Sequence, residues 1–136
     1  MKYYIVLSLC ALLSGCAGGD EGKIDRMVGD LASALNHHDT AAAGSLYDHG
    51  SLLPLNDDGD SSVVYRMLHI PGGSGFEASN IKSVVVGDHA RTDFDLGGKV
   101  SHKDSVSGVM SVHVKIQAVR RGGEWKFNAG SERQGM

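Results

Sequence analysis

Asp48 and His49 are adjacent, follow a predicted short helix, and are the pair in this 136-residue chain best suited to acid/base work. Proton-transfer catalysis needs a group within hydrogen-bond reach of its substrate, with a pKa moved toward the working pH by its surroundings. The plainer role for the same pair is structural, with Asp48 satisfying turn amides and His49 exposed. No other cluster has the spacing of a site. The seven histidines, at 37, 38, 49, 69, 89, 102 and 113, offer neither a helical i, i+4 pair nor a companion cysteine, so no zinc site is expected. Asp57-Asp58-Gly59-Asp60 has the composition of a calcium loop but lacks its alternating ligands and closing Glu. Pro71-Gly72-Gly73-Ser74-Gly75 has no Lys and no strand before it, which argues against a phosphate cradle. Arg120-Arg121 is too small a basic patch for nucleic acid, and the formal net charge of −3 points the same way. Neither a metal nor a cofactor is expected.

The elements that must position these residues fall in two halves of one small domain, a length that excludes a separate cofactor-binding half. Ile24, Met27, Val28, Leu31 and Leu35 recur at i, i+3, i+4, i+7 and i+11, the stripe of an amphipathic helix beginning at Lys23. Asp39 or Thr40 can cap a second short helix running from Ala41 through Tyr47 and ended by Gly50. Leu52-Leu53-Pro54-Leu55 reads as extended, 56–60 as a turn, and 61–68 as a third helix. The second half is strand-rich. Gly87-Asp88 joins the runs 80–86 and 89–96 as a hairpin, 97–104 reads as a polar loop, and 105–119 alternates strictly. Arg120 to Gly123 turn the chain into a last strand carrying Trp125, Phe127 and Ala129. Helices first and antiparallel strands second give an α+β order with helices packed on one sheet face.

Residues 1–15 are a different object. Lys2 precedes an apolar run from Tyr3 to Leu13, too short to span a bilayer and ending in Leu13-Ser14-Gly15-Cys16. This segment resembles the signal peptide and lipobox of bacterial lipoproteins. The resemblance implies a diacylglyceryl group on the Cys16 thiol and cleavage before it; the alternatives are an ordinary secretory signal with a chance cysteine or a short uncleaved anchor. Cys10 would leave with the signal, so the mature chain would hold a single, lipidated cysteine and no internal disulfide. Ala17 stands where an Asp would mark inner-membrane retention, which by the same resemblance implies the periplasmic face of the outer membrane if the envelope has two membranes. Residues 16–22, with three glycines and no apolar period, read as a flexible tether of roughly 20 Å reach. The domain proper is then 23–136.

The order of elements carries a second resemblance, through residues 39–46, Leu46-Tyr47-Asp48, Leu52-Leu53-Pro54 and the stretch from Val114 to Phe127. It is similar to the nuclear-transport-factor-2-like superfamily in its polyketide-cyclase-like (SnoaL-like) branch. That resemblance implies a curved antiparallel sheet wrapped around helices as a cone, often with a pocket inside and a homodimer through the outer sheet face. Asp48 and His49 would then sit at the pocket rim. The inward faces would carry Thr92, Leu96 and Met110, with Tyr47, Phe94, Val112, Val114, Ile116, Trp125 and Phe127 lining the pocket. None of the inward strand residues moves a proton usefully near neutral pH. Asp93, Asp95 and His113 fall on the opposite face.

The function expected from these readings is a lipid-anchored, non-catalytic envelope domain that binds a small apolar ligand or a protein partner. The rivals are an isomerase or lyase using Asp48 and His49, and a structural subunit of an envelope complex.

Overall fold

The computed structural model describes residues 2–48, 50, 52–70, 73–101 and 107–135, with side chains from residue 19 onward except at 100, 101, 107 and 108. His49, the Pro71-Gly72 pair, residues 102–104 of the expected loop, residues 105 and 106 of the expected strand and the Cys16 side chain lie outside that description.

Helix α1 (Lys2–Asn36) delivers the predicted stripe to the core, with Ile24, Val28, Leu31 and Leu35 all buried. It also corrects the reading of 16–22 as a flexible tether, because those residues continue the helix. The side chain of Asp20 is held by two groups from the other end of the chain. Its Oδ1 accepts from Trp125 Nε1 and its Oδ2 from Arg120 Nη1, each at 3.2 Å. Arg120 in turn donates to Asp88 Oδ1 from Nε at 3.0 Å and lies over the Trp125 ring at 5.3 Å. Helix propensity alone would not have carried three glycines; these contacts supply what propensity lacks.

Helix α2 (Thr40–Gly44) is capped by Asp39, whose carboxylate accepts from Ala42 N at 3.0 Å. It stops short of the expected Tyr47, which instead bridges to Phe127 in a parallel pairing. Residues 52–55 form no strand; Leu53 and Leu55 are exposed and Leu55 makes only an isolated bridge to Ser61. Helix α3 (Val63–His69) begins after Ser62, whose Oγ accepts from Tyr65 N.

The sheet is antiparallel, in the order β1 (Gly73–Val86), β2 (His89–Ser101), β3 (Ser107–Arg121), β4 (Glu124–Phe127). Several of the expected boundaries move: β1 begins at Gly73 where the first run was expected from 80, and β4 ends at Phe127, before Ala129. Residues 97–101 extend β2 where a loop was expected, and Arg120 and Arg121 belong to β3, leaving the turn to Gly122 and Gly123 at positive φ. After β4 a 3-10 turn (Ala129–Ser131) leads to a short strand β5 (Arg133–Gly135), which the sequence did not announce and which pairs with β3. Register shifts at Ser74/Glu77 and Ser79/Lys82 bend β1. At the first of them, the Asn36 side-chain amide substitutes for a neighbouring strand: its Nδ2 donates to Phe76 O at 2.8 Å and its Oδ1 accepts from Phe76 N at 2.6 Å.

The helices therefore fill the concave side of the sheet, the α+β arrangement expected. Phe76 closes one end of that core, its ring lying against Gly98 of β2 so closely that a Cβ there would stand 2.5 Å from Phe76 Cδ1. Gly98→Ala should force the ring out of place and cost about 1–3 kcal/mol, measured by urea denaturation with circular dichroism. An unchanged midpoint would show that the ring yields freely.

Candidate functional site

The side chains expected to line a pocket are brought together, and the structure packs them as core. Tyr47, Phe94, Val114, Ile116, Trp125 and Phe127 are each no more than 6% exposed and belong to one cluster with Ile24, Val28, Leu31 and Met67. Val112 and Met110 are half-buried at the edge of the cluster. An inward-facing apolar strand pattern is the same whether a ligand or a helix covers it, which is why the two were not separable from sequence.

Apolar space opens instead beside α3. A cleft of about 340 Å³ is lined by Val63, Met67 and Ile70 of the helix region and by Met110 of β3, with Tyr65, Arg66 and His69 at its rim. The cleft lies near the end of the domain where Gly98 pairs with Met110 and His38 Nε2 stands 3.1 Å from Gly73 O. His69 stacks on Tyr65 with ring centroids 4.3 Å apart, and its Nδ1 is 2.8 Å from Tyr65 O, so the rim ring is fixed by its own turn of helix. Apolar floor and polar rim are the usual composition of a small-molecule site. Met67 and Ile70 were not among the expected site residues; Met67 lies on the predicted helix and Ile70 just past its end, and apolar side chains there read equally as core.

Helix α3 owes its position to a residue that no local pattern singles out. Glu132 is buried, and its Oε2 and Oε1 accept from Val63 N at 2.8 Å and Val64 N at 3.2 Å. A carboxylate from the far end of the chain thus satisfies the first amides of the helix, where orphan donors and the helix dipole both favour it. Asn56 ties the same residue down from the other side, its Nδ2 donating to Glu132 O at 2.9 Å while its Oδ1 accepts from the amides of Asp58 and Asp60.

Of the expected acid/base pair, Asp48 is half-buried and its backbone amide donates to Phe127 O at 2.9 Å, which places it where α2 meets β4. Beside it, the Tyr47 hydroxyl is buried with no hydrogen-bond partner among the described residues. Burial, assisted by the nearby Glu132 carboxylate, pushes that hydroxyl well above the ordinary phenol range and keeps it neutral. Asp95 and His113 do share the outer sheet face. His113 Nδ1 lies 2.8 Å from Asp95 Oδ1, and Asn80 Nδ2 donates to Asp95 Oδ2 at 2.8 Å. Those two hydrogen bonds, the Asn80 one foremost, hold the Asp95 carboxyl below its usual range. Among the described residues no group of three or more His, Cys, Asp or Glu could hold a metal ion.

No protein-family model and no curated protein matches the chain. Solved structures do. One is a protein of Novosphingobium aromaticivorans designated a scytalone dehydratase, with TM-score 0.65, 19% identity, and coverage of 86% of this chain and 85% of that one. Another, from Streptomyces avermitilis, is designated a dehydratase of the NTF2-like family, with TM-score 0.62, 14% identity, and coverage of 85% and 94%. A third is the association domain of C. elegans CaMKII, with TM-score 0.62, 12% identity, and coverage of 83% and 94%. The fold is the nuclear-transport-factor-2-like cone, helices packed on a curved antiparallel sheet. At these identities the likeness is one of fold, and dehydratases and association domains share it.

The two buried polar groups near α3 should respond oppositely to deletion. Glu132→Ala strands two buried amides and should cost about 2–3 kcal/mol. Tyr47→Phe removes an unpartnered hydroxyl and should leave stability unchanged or raise it by up to about 1 kcal/mol. Urea denaturation of both variants checks the pair; a large loss in Tyr47→Phe would reveal a bound water or other partner at the hydroxyl.

Proposed function

We propose that this protein is a lipid-anchored envelope domain that carries out no chemistry itself and binds a small apolar molecule, or the apolar side chain of a partner, in the cleft between α3 and Met110. The observation that carries the reading is the contrast between the two apolar regions. The concave sheet face is occupied by the helices of the chain itself, whereas the α3 cleft is open, apolar at its floor and bounded by Arg66 and His69. A ligand suited to it has an apolar body and a polar or anionic end. Asp48 is tied to β4 and is not among the residues that line that cleft.

The anchor in this proposal is the acylated Cys16 following Leu13-Ser14-Gly15, with residues 1–15 removed. The periplasmic face of the outer membrane is the proposed location in an envelope with two membranes, on the strength of Ala17.

Two experiments test these parts separately. Metabolic labelling with a radioactive fatty acid should mark the wild-type chain and leave Cys16→Ser unmarked; equal labelling of both would sink the lipid anchor. An apolar fluorescent sulfonate such as anilinonaphthalene sulfonate should bind the folded chain, and Met110→Asp should weaken it at least about tenfold, since a charge in an apolar site costs several kcal/mol. Circular dichroism must show Met110→Asp folded. The Asp48→Asn, His49→Gln double variant should bind the probe and support envelope function like the wild type. A folded, lipidated double variant that loses function would transfer the argument to the isomerase or lyase reading.

A further inference from the structure

The described contacts of α1 fix how the domain stands relative to its anchor. Asn36 pairs with Phe76 near the start of β1, Asp25 Oδ1 accepts from Ser83 Oγ at 2.7 Å further along, and Asp20 meets Arg120, which holds Asp88 at the β1–β2 turn. The helix therefore runs antiparallel to β1, and its N-terminal direction leaves the domain at the hairpin tip. Cys16 precedes Asp20 by four residues. That separation is about 6 Å as helix and no more than about 14 Å if fully extended.

At that tip the outer sheet face exposes two valines where solvent would favour polar side chains. Val86 is 74% exposed and Val84 54%, and they border an open groove of about 370 Å³ with His89, Arg91 and Gln117. The ionisable residues around the tip are of both signs, Arg91 and Arg121 against Glu21 and Glu124, and Asp88 is already paired with Arg120. A charged or anionic partner gains little from such a surface, whereas an interface that accepts apolar side chains among mixed polar groups suits it.

We infer that the β1–β2 hairpin tip is a membrane-docking surface: Val84 and Val86 enter the interfacial layer of the bilayer to which Cys16 is attached, and the Asp20 clamp sets the orientation. The inference rests on the lipid-anchor reading. It adds to it that the domain stands upright on the bilayer, with its strands roughly along the membrane normal and the α3 cleft at the membrane-distal end.

The test uses the full lipidated chain in vesicles of phosphatidylcholine and phosphatidylethanolamine. Cys16 is blocked by its lipid and Cys10 is lost with the signal, so Val86→Cys introduces one free thiol for a nitrobenzoxadiazole dye. Its emission should shift to the blue and be quenched by bromine-labelled lipid. The same dye at Val109→Cys, a position 83% exposed near the other end of the sheet, should stay aqueous and unquenched. Asp20→Ala should keep the chain in the membrane fraction while weakening the quenching at position 86. Membrane-bound protein with position 86 unquenched, or quenched no more than position 109, overturns the docking and leaves the lipid anchor standing. A blue shift at 86 without bromine quenching assigns the face to a second copy of the chain and also overturns it. A chain that takes up no fatty acid and stays in the soluble fraction removes the anchor and the docking together, and the labelling identifies that case.

Discussion

A buried carboxylate must find donors, and the way Glu132 finds them organises the second face of this domain. Its oxygens reach Val63 N and Val64 N because the C-terminal segment folds back beside α3. The 3-10 turn at 129–131 makes that return, with Asn128 Oδ1 accepting from Gly130 N, and β5 then closes on β3. Asp57 N donates to Gly130 O and Asn56 Nδ2 to Glu132 O, so the 56–60 turn is stitched to the same segment. Helix α3 has seven residues, too few to be stable alone. Its placement, and with it the spacing between Met67, Ile70 and Met110 that leaves a cleft, depends on contacts nearly seventy positions away in the chain.

What the sequence disclosed follows the range of the forces involved. The stripe from Ile24 to Leu35 and the alternation through β3 were legible because each records a single buried face, repeated often enough to average out exceptions. Asp39 was legible as a possible start of a helix because capping is local. By contrast, β5 is Arg-Gln-Gly, with no apolar side chain to betray a strand, and it exists because β3 has an open edge for it. The helical state of 16–22 was hidden for the same reason. Its glycines say linker, and the groups that say otherwise are Arg120 and Trp125, a hundred residues distant. The candidate site was the least legible. Apolar residues at inward positions identify a face, and only the placement of α1 decides whether that face is filled.

The described residues give the domain two unlike ends. One collects Asp20, Asp88, Arg120 and Trp125 into a polar cluster around an indole, where the first helix enters. At the other, Asn36 and Phe76 exchange backbone-like hydrogen bonds, His38 reaches the carbonyls of Leu68 and Gly73, and the α3 cleft opens. Rigid attachment of α1 at both ends makes the helix a strut.

The bends in β1 have a consequence for how many copies of this domain can be crowded together. β1 is an outer strand of the sheet, paired among the described strands with β2 alone, and an outer strand of fourteen residues is an open template for a neighbouring chain. Here the template is spoiled. Gly75 and Asn80 sit at positive φ, the two register shifts interrupt the ladder, and Lys82 places an ammonium beside the second interruption. A second β1 laid alongside would find its amides and carbonyls out of step every few residues. If the proposed anchor gathers the molecules on one surface, where they diffuse in two dimensions and meet side by side far more often than in dilute solution, that irregular edge would keep frequent collision from becoming polymerisation.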